Sequence, residues 1–194
     1  MGETLEILDQ LSESDYAAVI SKKDLIAELS QAAIATAEFY LSNTPTDGIP
    51  YWDTGAPNLH RMGDYLSRPS DPFNAFEPVD SSAACITAQG LIRIGNWLKT
   101  SDPERAARYQ QAGIQIAGAL FAEPYLSTDE NHQGLILHSI YHQPNGWDYK
   151  PEPGKVAHGE SSMWGDYHAR ELALLLQRMI NNEPYYSYLN CVQL

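Results

Sequence analysis

The chain has 194 residues, and its 25 acidic and 12 basic side chains give a formal net charge of −13 at pH 7. A chain of this length can bury one hydrophobic core, and its 43% hydrophobic content is ordinary for a globular protein. The acidity and the lack of clustered basic residues disfavour nucleic acid as a partner. No apolar run approaches the roughly 20 residues of a membrane span, so we expect no membrane partner.

The terminal segments and the cysteines of the chain predict its domain organisation and its cellular compartment. The first residues lack the basic start and apolar stretch of a signal peptide. Cys85 and Cys191 lie far apart in sequence, which favours reduced thiols in a cytoplasmic protein over a disulfide framework. We predict an N-terminal flank (1–20), one helical domain (21–182) and a C-terminal tail (183–194).

The first clear helix signal begins at Ser21, which can act as the N-cap with Asp24 in the first turn. Apolar residues then recur at spacings of three and four, which predicts one buried face. Pro45 predicts that this helix ends near Ser42. The residues before Ser21 predict a short, weaker helix.

A long irregular stretch follows, from about Pro45 to Val79. It contains six of the twelve prolines of the chain. Its aromatic residues are too numerous for easy disorder: Tyr51, Trp52, Tyr65, Phe73 and Phe76. A loop of this length inside a compact domain is usually functional, so we predict an ordered functional loop.

The second half of the chain predicts a helical hairpin, a second long loop and a final helix. Asp80 or Ser81 can cap the first hairpin helix, and Pro103 suits the first position of the next. An irregular stretch covers 124–159, and the last helix is predicted over 161–180. Because strand signals are weak, we predict an all-α chain whose long loops converge on one end of the scaffold.

Carboxylates beside aromatic residues are the main chemical signal. Trp52 precedes Asp53, Asp80 closes the first long loop, and Trp164 opens the last helix. A ring face can stack on a sugar while a carboxyl group exchanges protons. Each residue also has a structural interpretation: the tryptophans can simply pack, and Asp80 can be a helix cap. The helix dipole would then lower the pKa of Asp80, which argues against a general acid there.

His138 and His142 have the four-residue spacing that zinc sites use on helices. The turn signals after them indicate a loop instead, and no further ligand completes a metal site. We therefore predict a loop contact or a ligand hydrogen bond for His138, and neither a metal nor a cofactor. The segment 159–163 matches the nucleophile elbow of serine hydrolases poorly, because Met163 replaces its second glycine.

Four segments in order resemble the unsaturated glucuronyl hydrolases, glycoside hydrolase family 88. They are Asp47–Asp53, Asp80–Ala84, Gly134–Ser139 and Gly165–Tyr167. The resemblance implies an (α/α)6 toroid with its active site at one end. Because fewer long helices are predicted than a complete toroid needs, it implies the C-terminal portion of such an enzyme.

The resemblance also implies a substrate and a set of nearby residues. The family acts on oligosaccharides with a 4,5-unsaturated uronic acid at the non-reducing end, by hydration of the double bond. The residues expected near the substrate are Trp52, Asp53, Asp80, His138 and Trp164. The family's catalytic aspartates belong to the upstream half, so the catalytic residues stay unassigned.

Two alternatives remain open at this point. The chain could be a catalytically incomplete fragment that binds carbohydrate, as a homo-oligomer or with a complementing N-terminal half. It could also be a complete small helical protein of unrelated function, which would make the four ordered segments a coincidence.

Overall fold

The computed structural model describes residues 1–16, 21–184 and 186. The α-helices within these ranges are α1 (Gly2–Gln10), α2 (Glu13–Tyr16), α3 (Lys22–Ser42), α4 (Ser81–Leu98), α5 (Pro103–Leu120) and α6 (Met163–Ile180). Short 3-10 turns cover Leu59–Met62, Tyr65–Ser67 and Gln143–Asn145. The described ranges hold only two isolated bridges of β type, at Tyr51–Val79 and Leu126–Ile136. The predicted all-helical class is therefore confirmed.

Side-chain caps fix where the long helices begin. Ser21 Oγ accepts the backbone N–H of Asp24 at 3.1 Å, as predicted. Asp102 accepts the N–H of Arg105 at 3.1 Å, with Pro103 at the first helical position as predicted. The Ser162 hydroxyl accepts the N–H of Gly165 at 3.0 Å, so α6 begins two residues later than the pattern indicated.

Helix α4 lies at the centre of the core. It packs most extensively against α5, then against α6 and α1. Glycines permit the close approach of α4 and α5: a Cβ at Gly113 would lie 2.7 Å from Ile92 Cγ1, and one at Gly95 would lie 2.7 Å from Gln110 Cγ. The short connection and this packing confirm the predicted hairpin.

Helix α3 lies at the edge of the scaffold and corrects one prediction. Its expected apolar face is largely half-buried, with Ala33 and Ala37 buried and Phe39 57% exposed. The reason is that α3 packs mainly against α1 and, more weakly, α4 among the described helices, and meets α5 through polar contacts of Glu38, which accepts from Arg108 and Tyr109. Helix α1, predicted as a weak helix, contributes the fully buried Leu5.

Both long loops are ordered and meet at the N-terminal ends of α4 and α6. The N–H of Ser81 donates to the carbonyl of His138 at 3.1 Å, and the N–H of Ser139 donates to that of Glu160 at 3.0 Å. The first loop pairs with the start of α4 through the Asp80 N–H and the Pro50 carbonyl at 2.8 Å. The predicted convergence of the loops on one end is therefore confirmed.

Two further predictions concern the membrane and the cysteines. Across the described ranges, no helix combines the length and the apolar character that crossing a membrane requires. Cys85 is a buried free thiol. Cys191 and most of the predicted 183–194 tail lie outside the described residues.

Candidate functional site

Asp80 lies where the two loops meet the first turn of α4. Its Oδ1 atom accepts the N–H of Ser82 at 3.0 Å and that of Ala83 at 3.3 Å, so the predicted cap is confirmed. The same oxygen accepts the Ser82 hydroxyl at 2.6 Å and the N–H of Ile140 at 3.5 Å. Within the described residues all of these bonds go to Oδ1, which leaves Oδ2 available to a ligand.

The pKa of Asp80 shifts in the direction opposite to the sequence-based prediction. Burial raises the pKa of the Asp80 carboxyl group above its usual value, although the hydrogen bonds from Ser82, Ala83 and Ile140 act in the opposite direction. The predicted lowering of this pKa by the helix dipole was therefore wrong. The two loops cover the helix start, and removal of water outweighs the dipole and the hydrogen bonds.

Trp164 is joined to Asp80 through a single hydroxyl group. Its indole Nε1–H donates to Ser82 Oγ at 3.2 Å, and that hydroxyl donates to Asp80. The Trp164 ring also lies 5.3 Å from the ring of Tyr141, between centroids. A carboxyl group and an aromatic face are thus held side by side, which suits recognition of a sugar.

His138 lies beside this cluster but is 2% exposed. Its Nδ1 accepts the N–H of Gly159 at 3.0 Å, and it also forms a hydrogen bond to the backbone of Pro124. Burial, and then the nearby His158, lower the pKa of His138 to about 4, against the Pro124 hydrogen bond. The structure therefore favours the loop contact over the ligand hydrogen bond, with a neutral imidazole that joins two parts of the second loop.

Trp52 lies on the neighbouring loop and is held by a buried acid. Its Nε1–H donates to Glu77 Oε2 at 2.7 Å, and Glu77 is 2% exposed. The other Glu77 oxygen accepts the backbone N–H of Asn58 at 2.7 Å. The half-buried Trp52 indole therefore fastens the first loop together.

Asp53 is an exposed turn residue. Its Oδ1 accepts the N–H of Gly55 at 2.6 Å, two residues along the chain. The contacts given above form one cluster in which Asp80 and Trp164 both bond the Ser82 hydroxyl, while His138 joins it through its backbone carbonyl, which accepts the N–H of Ser81. They link Trp52 and Asp53 to it only through the backbone, where the Trp52 N–H donates to the Pro78 carbonyl at 3.0 Å.

Two carboxylates that support the cluster were not predicted as site residues. Asp166 accepts the backbone N–H groups of Leu135 at 2.9 Å and Ile136 at 3.0 Å, which ties the second loop to α6. Asp148, 6% exposed, accepts the N–H groups of Tyr141 and His142. The sequence signals were the position of Asp166 in the first turn of a helix and its place in the segment Gly165–Tyr167. Asp148 gave none, because both acids bind backbone groups that any residue type supplies.

No group of three or more histidine, cysteine, aspartate or glutamate side chains suited to a metal ion occurs within the described part of the chain. The chemistry that the cluster offers is hydrogen bonding by a carboxyl group of raised pKa beside the tilted rings of Trp164 and Tyr141.

Comparison with known proteins identifies relatives of this chain by sequence. No family model matches the chain. It is 31% identical over 160 residues to an unsaturated glucuronyl hydrolase of Bacillus sp. (strain GL1), a match that covers 82% of this chain and 36% of the relative. It is 29% identical over 154 residues to an unsaturated glucuronyl hydrolase of Formosa agariphila, covering 78% and 31% respectively.

Solved structures agree with the sequence relatives. The crystal structure of the Bacillus sp. GL1 unsaturated glucuronyl hydrolase matches with a TM-score of 0.60 and 29% identity, over 84% of this chain and 36% of that one. The heparin-specific unsaturated glucuronyl hydrolase, at 19% identity and a TM-score of 0.57, shares the fold.

Helices α1–α6 of the described residues and the loops between them are therefore part of an α/α toroid, as the sequence predicted. The chain is a relative of the unsaturated glucuronyl hydrolases and corresponds to their C-terminal portion. It spans about a third of the length of the curated relatives that it matches.

Proposed function

We propose that the chain forms the C-terminal sector of a glycoside hydrolase that acts on oligosaccharides ending in a 4,5-unsaturated uronic acid. The observation that carries this proposal is the link from Asp80 through Ser82 to the indole of Trp164. It places a carboxyl group beside an aromatic ring at the end of the scaffold where both loops meet. The similarity to the unsaturated glucuronyl hydrolases supplies the substrate class.

The solved relatives indicate which sugars can follow the unsaturated uronic acid in the substrate. The Bacillus sp. GL1 enzyme is described as responsible for the degradation of glycosaminoglycan. A second solved structure, also 29% identical with a TM-score of 0.60, pairs its protein with dGlcA-Glc-Rha-Glc. For this chain we propose a terminal unsaturated uronyl residue followed by further sugars, which can be neutral.

The described residues contribute binding and orientation. A sugar ring can stack on the Tyr141 ring, which is 56% exposed, beside Trp164. Oδ2 of Asp80 then hydrogen-bonds a sugar hydroxyl, as a donor when protonated and an acceptor when ionised. Trp52 fastens the first loop and His138 the second, and Asp53 is an exposed turn residue next to Trp52.

The proposed reaction is a hydration of the vinyl ether. A carboxylic acid protonates one alkene carbon, and water adds to the other and loses a proton. The resulting hemiketal opens, and the bond to the remaining sugar breaks with release of that sugar as an alcohol. We assign the proton donor to none of the residues here, since the resemblance places the catalytic aspartates in the upstream half.

Loss of the double bond gives a direct test. Catalysis by this chain alone would make the ultraviolet absorbance of a lyase-generated unsaturated disaccharide fall on incubation with the folded chain, whereas heat-unfolded chain would leave it constant. A saturated disaccharide provides the substrate control, because it has no alkene to hydrate. Constant absorbance with a folded sample would contradict catalysis by this chain alone.

A second candidate is a carbohydrate-binding sector that assembles with another copy or with a polypeptide that supplies further helices. Large apolar side chains on α6 favour it: Met163 is 84% exposed, Tyr167 61% and Ile180 79%. A groove of about 680 Å³ runs along the same helix. Constant absorbance together with sedimentation as a larger species would support this candidate, and an active monomer would exclude it.

A further inference from the structure

Three aromatic side chains form a row that leads outward from Asp80 and Ser82. The rings of Trp164 and Tyr141 lie 5.3 Å apart, between centroids, at 34°. Those of Tyr141 and Trp147 lie 5.5 Å apart at 28°, which is a stacked arrangement. The row, defined as Trp164, Tyr141 and Trp147, begins at the Ser82 hydroxyl and ends at Trp147, which is 61% exposed.

The outer end of the row is held in place by its own loop. The buried Asp148 accepts the N–H groups of Tyr141 and His142, the latter at 3.1 Å. The His142 ring lies 5.1 Å from the Trp147 ring, and its Nδ1 accepts the N–H of Asn145 at 3.2 Å. Rings fixed before binding lose little conformational entropy when a ligand stacks on them.

More than half of the Trp147 surface is open to solvent, so packing inside the protein does not account for a tryptophan at this position. Two exposed aromatic side chains, which can bury roughly 150–250 Å² each, offer far less area than the roughly 800 Å² per partner that stable protein interfaces bury. A net charge of −13 disfavours an anionic membrane surface. A single sugar ring is a ligand of the right size for an exposed indole face.

We propose that Trp147 forms an outer binding site for a neutral sugar ring, one position beyond the ring that contacts Tyr141 and Trp164. This inference rests on the proposed function, and it specifies oligosaccharides of three or more sugars as the preferred ligands. An uncharged ring suits the site because its C–H face stacks on the indole and needs no positive partner, in a chain with 25 acidic residues.

Calorimetric titration with two oligosaccharides tests the outer site. One is an unsaturated uronyl disaccharide, and the other is the trisaccharide with one additional neutral sugar. We expect the trisaccharide to bind about tenfold more tightly, the gain of one aromatic stacking contact. Trp147→Ala should bring the trisaccharide down to the affinity of the disaccharide, and Trp147→Phe should keep most of the gain.

Tyr149 offers a matched control, because it is 57% exposed in the same loop and makes no ring contact with the row. Tyr149→Ala should keep the tenfold ratio. An unchanged ratio in Trp147→Ala, or equal affinities in the wild-type chain, would overturn the outer site and leave the proposed function standing. Failure of the wild-type chain to bind either oligosaccharide would overturn both.

Discussion

Replacement of Asp166 by alanine is expected to lower the free energy of unfolding by about 3 kcal/mol. The carboxylate accepts the backbone N–H groups of Leu135 at 2.9 Å and Ile136 at 3.0 Å. Ile136 is fully buried, so alanine would leave donors that water cannot easily satisfy. Denaturant unfolding of both proteins, followed by circular dichroism, measures the difference.

Two variants calibrate the effect of Asp166→Ala. Asp166→Asn keeps one carbonyl oxygen at the position of Oδ1, which accepts both N–H groups, so we expect a smaller loss. Asp53→Ala removes a carboxylate whose hydrogen bond lies in an exposed turn, and should cost about 0.5 kcal/mol. Equal losses for Asp166→Ala and Asp53→Ala would show that Asp166 does not hold the second loop to α6.

Acidification is expected to destabilise the fold by up to roughly 3 kcal/mol between about pH 6.5 and pH 4. The pKa of His138 falls to about 4 in the folded chain, because burial disfavours the imidazolium and His158 lies close by. The unfolded chain takes up a proton on His138 near pH 6.5, whereas the folded chain does so only near pH 4. As the pH falls, the free energy of the unfolded chain therefore decreases before that of the folded chain. Stability from His138 is thus present above the unfolded pKa and lost on acidification.

The variant His138→Asn isolates this contribution. Asparagine tolerates the positive φ of 68° at this position better than most residues and does not titrate in this range. We expect its unfolding free energy to depend less steeply on pH than that of the wild-type chain, whatever its absolute stability. The raised pKa of Asp80 acts in the opposite direction but is common to both proteins. Identical slopes would contradict a buried, neutral His138.

Local sequence signals predicted the helices because caps and turns act over a few residues. Ser21 and Asp80 occupy the predicted cap positions, and Pro103 the predicted first position. The α3 face was predicted less well, since periodicity indicates which side is apolar and not how much of it a neighbour covers. Phe39 belongs to that pattern and is 57% exposed.

The candidate site was predicted in part, because its contacts join segments that are distant in sequence. The resemblance indicated Asp80 and Trp164, but their link passes through Ser82, which bonds a tryptophan 82 residues away. Glu77 likewise lies 25 residues from Trp52. Burial of Asp80 by two loops reversed the predicted direction of its pKa shift. Effects of this kind need coordinates, because no local pattern records which loop covers a side chain.

The four tryptophans allow one measurement to test the sugar-binding end directly. Titration of the 15N-labelled chain with an unsaturated uronyl trisaccharide would report on each indole N–H by NMR. We expect the signals of Trp164 and Trp147 to shift and that of Trp97, at the opposite end of α4, to stay unchanged. A folded chain in which the Trp164 signal does not move, or in which Trp97 alone responds, would contradict a sugar-binding surface at the end where the two loops meet.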